Sequence, residues 1–163
     1  MKQSMAERYT LAWFKLAECV SRGEKERALG VYRLLSHSLN DQAFSRQLEG
    51  DIFLSFQEIA SAQQRYKDAA ILYQKEGRLL ESAAVYEQLI TLEAEDHESR
   101  IALLMAYHQL GPSERYKKQL HQAIDLLSLS ENDPLSLQKF LVKLEQHDAR
   151  VYQDAQDYLG KRA

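Results

Sequence analysis

The segment Gln64–Leu89, QRYKDAAILYQKEGRLLESAAVYEQL, contains one short pattern twice, thirteen residues apart. In each copy a small residue is followed four positions later by a tyrosine: Ala69 by Tyr73, and Ser82 by Tyr86. A spacing of four places both side chains on one face of an α-helix. The tyrosine can then fill the space that the small residue leaves open on the facing helix. Because such a unit cannot bury its apolar face alone, we expect it to stack on similar neighbours.

The composition of the chain is typical of a folded helical protein. Of its 163 residues, 45% are apolar and 28% are charged, and only two are proline. Strong helix formers (Leu, Ala, Glu, Gln, Lys and Arg) dominate, and no run alternates between apolar and polar residues as a half-buried strand does. We therefore predict an all-α fold in a single domain, 1–163.

Charge, cysteine content and hydropathy narrow the possible partners and locations. The net charge is −3 and the basic residues are scattered, so neither a nucleic-acid groove nor a polybasic membrane anchor is supported. The single cysteine, Cys19, favours a reducing compartment. No apolar run approaches the ~18 residues of a membrane span, and MKQSMAERY lacks the apolar centre of a signal peptide. We predict a cytoplasmic protein that binds neither nucleic acid nor membranes.

Motifs for catalysis or cofactor binding were sought in the sequence. It contains no phosphate-binding glycine loop, no paired CxxC and no His-Glu-x-x-His. His97 and His108 lie on one predicted helix, about 16 Å apart along its axis, which is too far to share a metal ion. The prediction is therefore that the protein is not an enzyme and has no catalytic residues, no metal site and no cofactor.

Turn residues and apolar periodicity predict eight helices. Gly23, Gly77 and Gly111 mark helix ends, because glycine adopts positive φ without strain. Pro112 follows the last of them and can begin a helix. The predicted helices cover about residues 5–22, 25–38, 42–62, 66–76, 79–93, 97–110, 114–128 and 134–159. The helix 42–62 is predicted to be continuous up to a turn near Gln64, and the final helix would be about 39 Å long.

The turns share a common spacing. A small or aromatic residue lies five positions after each turn, and an apolar residue follows four later: Gly23 leads to Ala28 and Tyr32, and Gly77 to Ser82 and Tyr86. The same count leads from Gln64 to Ala69 and Tyr73, and from Gly111 to Tyr116 and Leu120. Core positions, and not an aromatic binding face, are predicted for Tyr32, Tyr73, Tyr86 and Tyr107.

Gly77 and Gly111 are 34 residues apart, the length of one helix–turn–helix repeat unit. With these features the chain resembles tetratricopeptide-repeat (TPR) proteins. The strongest match is QKEGRLLESAAVYEQLITLEAE, followed by MAYHQLGPSERYKKQLHQAI and LAECVSRGEKERALGVYRLL. The resemblance implies a right-handed α-solenoid of about eight antiparallel helices, with repeats at about 9–40, 43–76 and 79–128 and a long C-terminal capping helix at 134–159.

The resemblance also implies a groove that binds a partner. In such arrays the first helix of each repeat lines the concave side. By helical phase the candidate groove residues are Phe14, Glu18, Leu54, Glu58, Ile71, Gln74, Ile101, Met105 and His108. Helix 66–76 fits either the second helix of one repeat or the first of the next, and Ile71 and Gln74 line the groove only in the latter case. Alternatively, terminal helices cover the apolar members of this set.

The predicted last helix suggests self-association. An apolar stripe with heptad spacing runs along it, and a capping role explains only its first half. The remaining part would dock on a second copy of the chain or fill a neighbour's groove. The residues predicted for this contact are Leu144, Val151, Ala155 and Tyr158.

These observations favour a protein–protein interaction module, or scaffold, that holds a peptide or helix of another protein in its groove. Two alternatives remain open at this point. One is a structural protein that assembles with itself through the C-terminal helix. The other is a small chaperone resembling the TPR-like chaperones of bacterial secretion, whose clients are apolar segments.

Overall fold

The computed structural model describes residues 5–111, 113–130 and 133–162, with side chains from residue 10 onward. These residues form nine α-helices and no strand, which confirms the all-α prediction. The helices are α1 (Met5–Ser21), α2 (Lys25–Ser36), α3 (Gln42–Ser55), α4 (Ile59–Lys75), α5 (Leu79–Leu92), α6 (His97–Leu110), α7 (Glu114–Ser128), α8 (Ser136–His147) and α9 (Ala149–Gly160). The chain divides into two compact units, Met1–Lys75 and Glu76–Ala163.

Unit 1 consists of two helix pairs. Helix α1 packs on α2, α3 packs on α4, and α2 also contacts α3. The ends of the pairs follow the predicted rules: Gly23 has φ +72° between α1 and α2, and Asp41 caps α3 by accepting a hydrogen bond from the Phe44 amide at 2.8 Å. A buried cluster joins the first pair to α3 through Leu16, Cys19, Ala28, Leu29, Tyr32, Leu35 and Ile52.

Small residues and tyrosines form the interior of unit 1, as the sequence predicts. The buried members of this set are Ala28, Tyr32, Ala62, Tyr66, Ala69, Ala70 and Tyr73. Each buried phenol also has a polar partner: Tyr66 donates to Asp51 Oδ1 at 2.7 Å, and Tyr73 donates to Gln47 Oε1 at 2.9 Å. The rings therefore supply apolar area while their hydroxyls remain hydrogen-bonded.

The predicted helix 42–62 is wrong, because the chain turns at Phe56–Glu58. Gln57 has φ +60° and occupies the position that glycine fills in the turns at Gly23, Gly77 and Gly111. Counting five and nine residues from Gln57 gives Ala62 and Tyr66, which are both buried. Gln57 also lies 34 residues after Gly23, so it, and not Gln64, is the turn residue of this pair. Gln64 lies inside α4, which includes all but the last residue of the predicted helix 66–76.

Unit 2 contains α5 to α9. Helix α5 packs on α6, α7 contacts α6, and both α8 and α9 contact α7. Positive φ at Gly77 and Gly111 and the N-cap at Asp96 confirm three predicted boundaries, and α6 and α7 have the predicted limits. Pro112, which was also predicted to mark the break, lies outside the described residues. The buried tyrosines Tyr86 and Tyr107 confirm the predicted core positions.

The predicted helix 134–159 is also wrong, since it is two helices separated at Asp148. The backbone of Asp148 is extended, with φ −157° and ψ 115°. Its carboxylate accepts hydrogen bonds from the Arg150 amide at 2.8 Å and the Val151 amide at 3.1 Å, and so caps a new helix. These bonds lower the pKa of the Asp148 carboxyl, with the Val151 amide as the largest cause. The chain thus reverses here and returns α9 to the body of unit 2.

Candidate functional site

Each of the two units has a groove lined by described residues. The first, the α1–α2 groove, has a volume of about 580 Å³. It is lined by Lys15, Glu18, Cys19, Arg22, Glu24, Arg27, Gly30, Val31, Arg33 and Leu34. It includes Glu18, one of the predicted partner-binding residues.

The α1–α2 groove has a charged end near the turn. Arg22 pairs with Glu18 at 2.6 Å, and Arg27 pairs with Glu24 at 2.8 Å. Its lining residues comprise four basic and two acidic side chains, although the chain as a whole has net charge −3. The groove therefore carries positive charge on a negatively charged protein.

The other end of the hairpin exposes large apolar side chains. Phe14 is 69% exposed on α1, and Leu34 is 73% exposed on α2. Leu11, one turn before Lys15, is also exposed. Since consecutive helices joined by a tight turn run antiparallel, Leu34 lies at the same end of the pair as Leu11 and Phe14. The charges near the turn therefore balance, and the excess positive charge of the groove, from Lys15 and Arg33, lies beside the exposed apolar side chains.

The remaining predicted groove residues of unit 1 lie elsewhere. Leu54 is half-buried near the end of α3, and Glu58 forms an ion pair with Lys25. That bond raises the pKa of the Lys25 ammonium. On α4, Ile71 is 45% exposed and Gln74 is half-buried. They do not line the α1–α2 groove, which of this set includes only Glu18.

In unit 2 the prediction of a surface position is wrong for Ile101, which is only 2% exposed. The packing of α6 explains this burial, because α6 contacts α5, α7 and α9 and is therefore covered on several sides. Met105 and His108 are half-buried, and the His108 ring lies 5.7 Å from the ring of Tyr116. Ile101 is therefore a core residue and not part of a binding surface.

Three of the four predicted self-association residues are likewise not on the surface, and the fourth, Tyr158, is half-buried. Leu144, Val151 and Ala155 are fully buried, because α9 folds back and does not extend beyond the unit. Tyr116 donates to Asp154 Oδ2 at 2.7 Å, which ties α7 to α9. Tyr158 stacks on His121, with 3.7 Å between ring centroids. This correction follows directly from the chain reversal at Asp148.

The second groove, the α5–α7 groove, has a volume of about 670 Å³. It is lined by Glu87, Ile90, Thr91, Arg100, Gln119, Gln122, Asp125, Leu126 and Leu129. Gln119 donates to Glu87 Oε1 at 3.1 Å, and Ser130 donates to Glu95 Oε1 at 2.9 Å beyond the ends of the helices. These two contacts show that α5 and α7 run parallel along the groove.

Each acidic side chain of the α5–α7 groove has partners within unit 2. Glu87 also accepts a hydrogen bond from Tyr107 at 2.8 Å. Asp125 accepts from Arg162 at 2.6 Å and from the Tyr158 hydroxyl at 3.2 Å. Both carboxylates therefore help to hold unit 2 together.

Arg100 is the buried cation of this groove, and the sequence prediction missed it. It is 7% exposed, and its Nε donates to the Ala94 carbonyl at 2.7 Å. Burial lowers the pKa of its guanidinium, while nearby Asp96 acts in the opposite direction. The available signal was an arginine directly preceding the apolar run IALLMAY, at a position where α6 enters the core.

The described residues contain no group of three His, Cys, Asp or Glu side chains that could hold a metal ion. None of their helices combines the length and the apolar character needed to cross a bilayer.

In comparisons with known proteins, the chain matches no family model and no curated protein sequence at a significant level.

Proposed function

We propose that this chain is a TPR-like helical module that binds a helix or peptide of another protein, and that the α1–α2 groove is its main binding surface. The carrying observation is the exposure of Phe14 and Leu34 on two packed helices whose other large apolar side chains are mostly buried or half-buried. Exposed apolar groups beside a groove and rimmed by charge are typical of protein-interaction surfaces.

Charge indicates the class of partner. Four basic and two acidic side chains line the groove, so an amphipathic segment with acidic flanks would complement it. Its apolar residues would contact Phe14 and Leu34, and its acidic residues would face Lys15 and Arg33 beside them, because the arginines nearer the turn are already paired with glutamates. A helix laid in a groove with apolar anchors is a common mode of peptide recognition.

The structural alternative, self-assembly through the C-terminal helix, loses its support because Leu144, Val151 and Ala155 are buried. The chaperone-like role and the cytoplasmic location stay predictions. A chaperone would use the same apolar side chains, so one set of variants addresses both binding roles.

The test is a selection of peptides from a random library on the full chain, followed by affinity measurements with fluorescence anisotropy. We expect the double substitution Phe14→Ser, Leu34→Ser to weaken the selected peptides by at least about tenfold, as loss of central anchors does. The matched control is Leu80→Ser, which changes an exposed leucine of unit 2.

Two outcomes contradict the proposal. One is a set of selected peptides that bind the double variant as tightly as the unsubstituted chain. The other is a concentration-dependent mass in light scattering that the double variant abolishes, because the groove would then be an interface between copies of this chain.

A further inference from the structure

The guanidinium of Arg100 has free donor groups in a site where charge is expensive to bury. Its Nε is bonded to Ala94, but its two terminal amino groups have no hydrogen-bond partner within the described ranges. No fully buried side-chain nitrogen or oxygen there lacks a partner, so these amino groups reach the space of the α5–α7 groove. An arginine keeps its proton at neutral pH even when buried, so the charge persists.

Asp96, which acts on this cation, and the two carboxylates that line the groove are already engaged. Asp96 accepts two hydrogen bonds from Ser99, from its amide at 3.0 Å and from its hydroxyl at 2.8 Å. Glu87 lies seven residues before Ala94, roughly 10 Å along the helix direction, at the opposite end of the groove. Asp125 is paired with Arg162. The fork of amino groups on Arg100 is therefore available to an external acceptor.

Apolar and neutral polar side chains surround this end of the groove. Leu129, the residue that follows α7, is 77% exposed, and Leu126, three residues earlier, is also exposed. Ile90 and Thr91 line the facing side of α5. A ligand here would thus place a carboxylate on the guanidinium and an apolar side chain on the two leucines.

We propose that the α5–α7 groove binds a segment of a partner protein through an aspartate or glutamate side chain held by Arg100, next to an apolar side chain that packs on Leu126 and Leu129. A carboxylate matches the two terminal amino groups in a bidentate pair, which is stronger and more directional than a single contact. It would also supply the partner that the buried charge lacks. This site lies in a different unit from the α1–α2 groove, so either proposal can fail without the other.

The experiment is a random-peptide selection on the full chain with counter-selection on Arg100→Met, using peptides blocked at both termini so that only side chains carry carboxylates. We expect the retained peptides to share an acidic residue at a fixed distance from a leucine-type residue. In one such peptide, Glu→Gln should weaken binding by at least about tenfold on the unsubstituted chain and by less than about twofold on Arg100→Met.

A second variant and a control distinguish a loss of carboxylate recognition from a loss of folding. Arg100→Lys keeps the charge but removes the fork, and it should lose most of the Glu-over-Gln preference at unchanged helicity. Lys118→Met, at an exposed position of α7, should keep that preference. The proposal is overturned if the retained peptides show no acidic enrichment or if the Glu-over-Gln preference survives in Arg100→Met.

Discussion

Gly50 on α3 lies directly against the ring of Tyr66 on α4: a Cβ atom at position 50 would be 2.7 Å from Cε1 and 2.8 Å from Cδ1 of that ring. Both residues are buried. The absence of a side chain at position 50 is what lets the second helix pair of unit 1 close around the tyrosine.

The substitution Gly50→Ala should therefore destabilise unit 1, although alanine is the better helix former. The clash requires a shift of the ring or of the helices, at about 1–3 kcal/mol, which exceeds the gain of up to ~1 kcal/mol in helix propensity. Urea unfolding followed by circular dichroism measures the difference. Gly30→Ala on α2 is the matched control, since nothing lies within 4 Å of its added Cβ and the free energy of unfolding should rise. An equal rise for both variants would contradict the packing described.

Replacing Gln57 by glycine should stabilise the turn between α3 and α4. Gln57 has φ +60°, a region that costs a residue with a Cβ about 1–2 kcal/mol. Glycine removes this cost, but its greater entropy in the unfolded chain offsets part of the effect, so the net gain in unfolding free energy is up to ~1 kcal/mol. Gln64→Gly provides the opposite case, because it lies inside α4 and should lose ~1 kcal/mol. If Gln57→Gly destabilised the protein and Gln64→Gly stabilised it, the turn would lie at Gln64 and not at Gln57.

Two isoleucines distinguish core from surface among the predicted groove residues. Ile101→Ala should cost 2–5 kcal/mol of the free energy of unfolding, roughly the range for large-to-small changes in a core. Ile71→Ala makes the same change at a side chain that is 45% exposed and should cost well under ~1 kcal/mol. Thermal and denaturant unfolding of both variants provides the measurement. A small effect at Ile101 would return that residue to the candidate binding surface.

Asp148→Ala tests the break between α8 and α9. Removal of the carboxylate leaves the Arg150 and Val151 amides without their acceptor, at a cost of about 1 kcal/mol. In one continuous helix the same change would be stabilising, because alanine has the higher helix propensity. Glu145→Ala, on the exposed face of α8, serves as the control and should change stability by less than ~0.5 kcal/mol. A lower stability of Asp148→Ala therefore supports a break between α8 and α9, and a higher stability contradicts it.

Tyr107 should make unit 2 sensitive to alkaline pH. Burial, and then its hydrogen bond to Glu87, raise the pKa of Tyr107 from 10.0 to about 12. Because the pKa in the folded state is above that in the unfolded state, this group's contribution to stability is complete below pH 10 and is lost as the pH rises towards 12. Tyr107→Phe should reduce the fall in unfolding free energy between pH 10 and 12, measured by urea unfolding at each pH. An unchanged slope would mean that Tyr107 ionises normally.

Local rules accounted for much of this fold. The four-residue spacing of small residues and tyrosines predicted the buried faces of α2, α4 and α5, and Gly23, Gly77 and Gly111 predicted three helix ends. Both errors in helix limits have one cause, since Gln57 and Asp148 stand where no glycine or proline announces a break. The burial of Ala62 and Tyr66 identifies the break at Gln57, and the carboxylate near two amides identifies the break at Asp148. Both signs appear only when the neighbouring helices are in place.

The candidate sites were less accessible to sequence reasoning. Helical phase separates the two sides of one helix, but it does not say how many other helices surround it. Phe14 stayed exposed and Ile101 became buried for this reason, although both were assigned to the same surface. Arg100 was missed because its burial depends on α5, the segment around Ala94 and α7 together.

By itself the sequence determined that the chain is helical, which faces of the helices are buried and where glycine ends them, because these properties depend on contacts a few residues apart. Only the tertiary structure decided that α9 folds back, so that Leu144, Val151 and Ala155 are buried, and that Arg100 opens into a groove. Those outcomes depend on helices distant in sequence, whose packing sets which apolar surfaces and charges remain accessible to a partner.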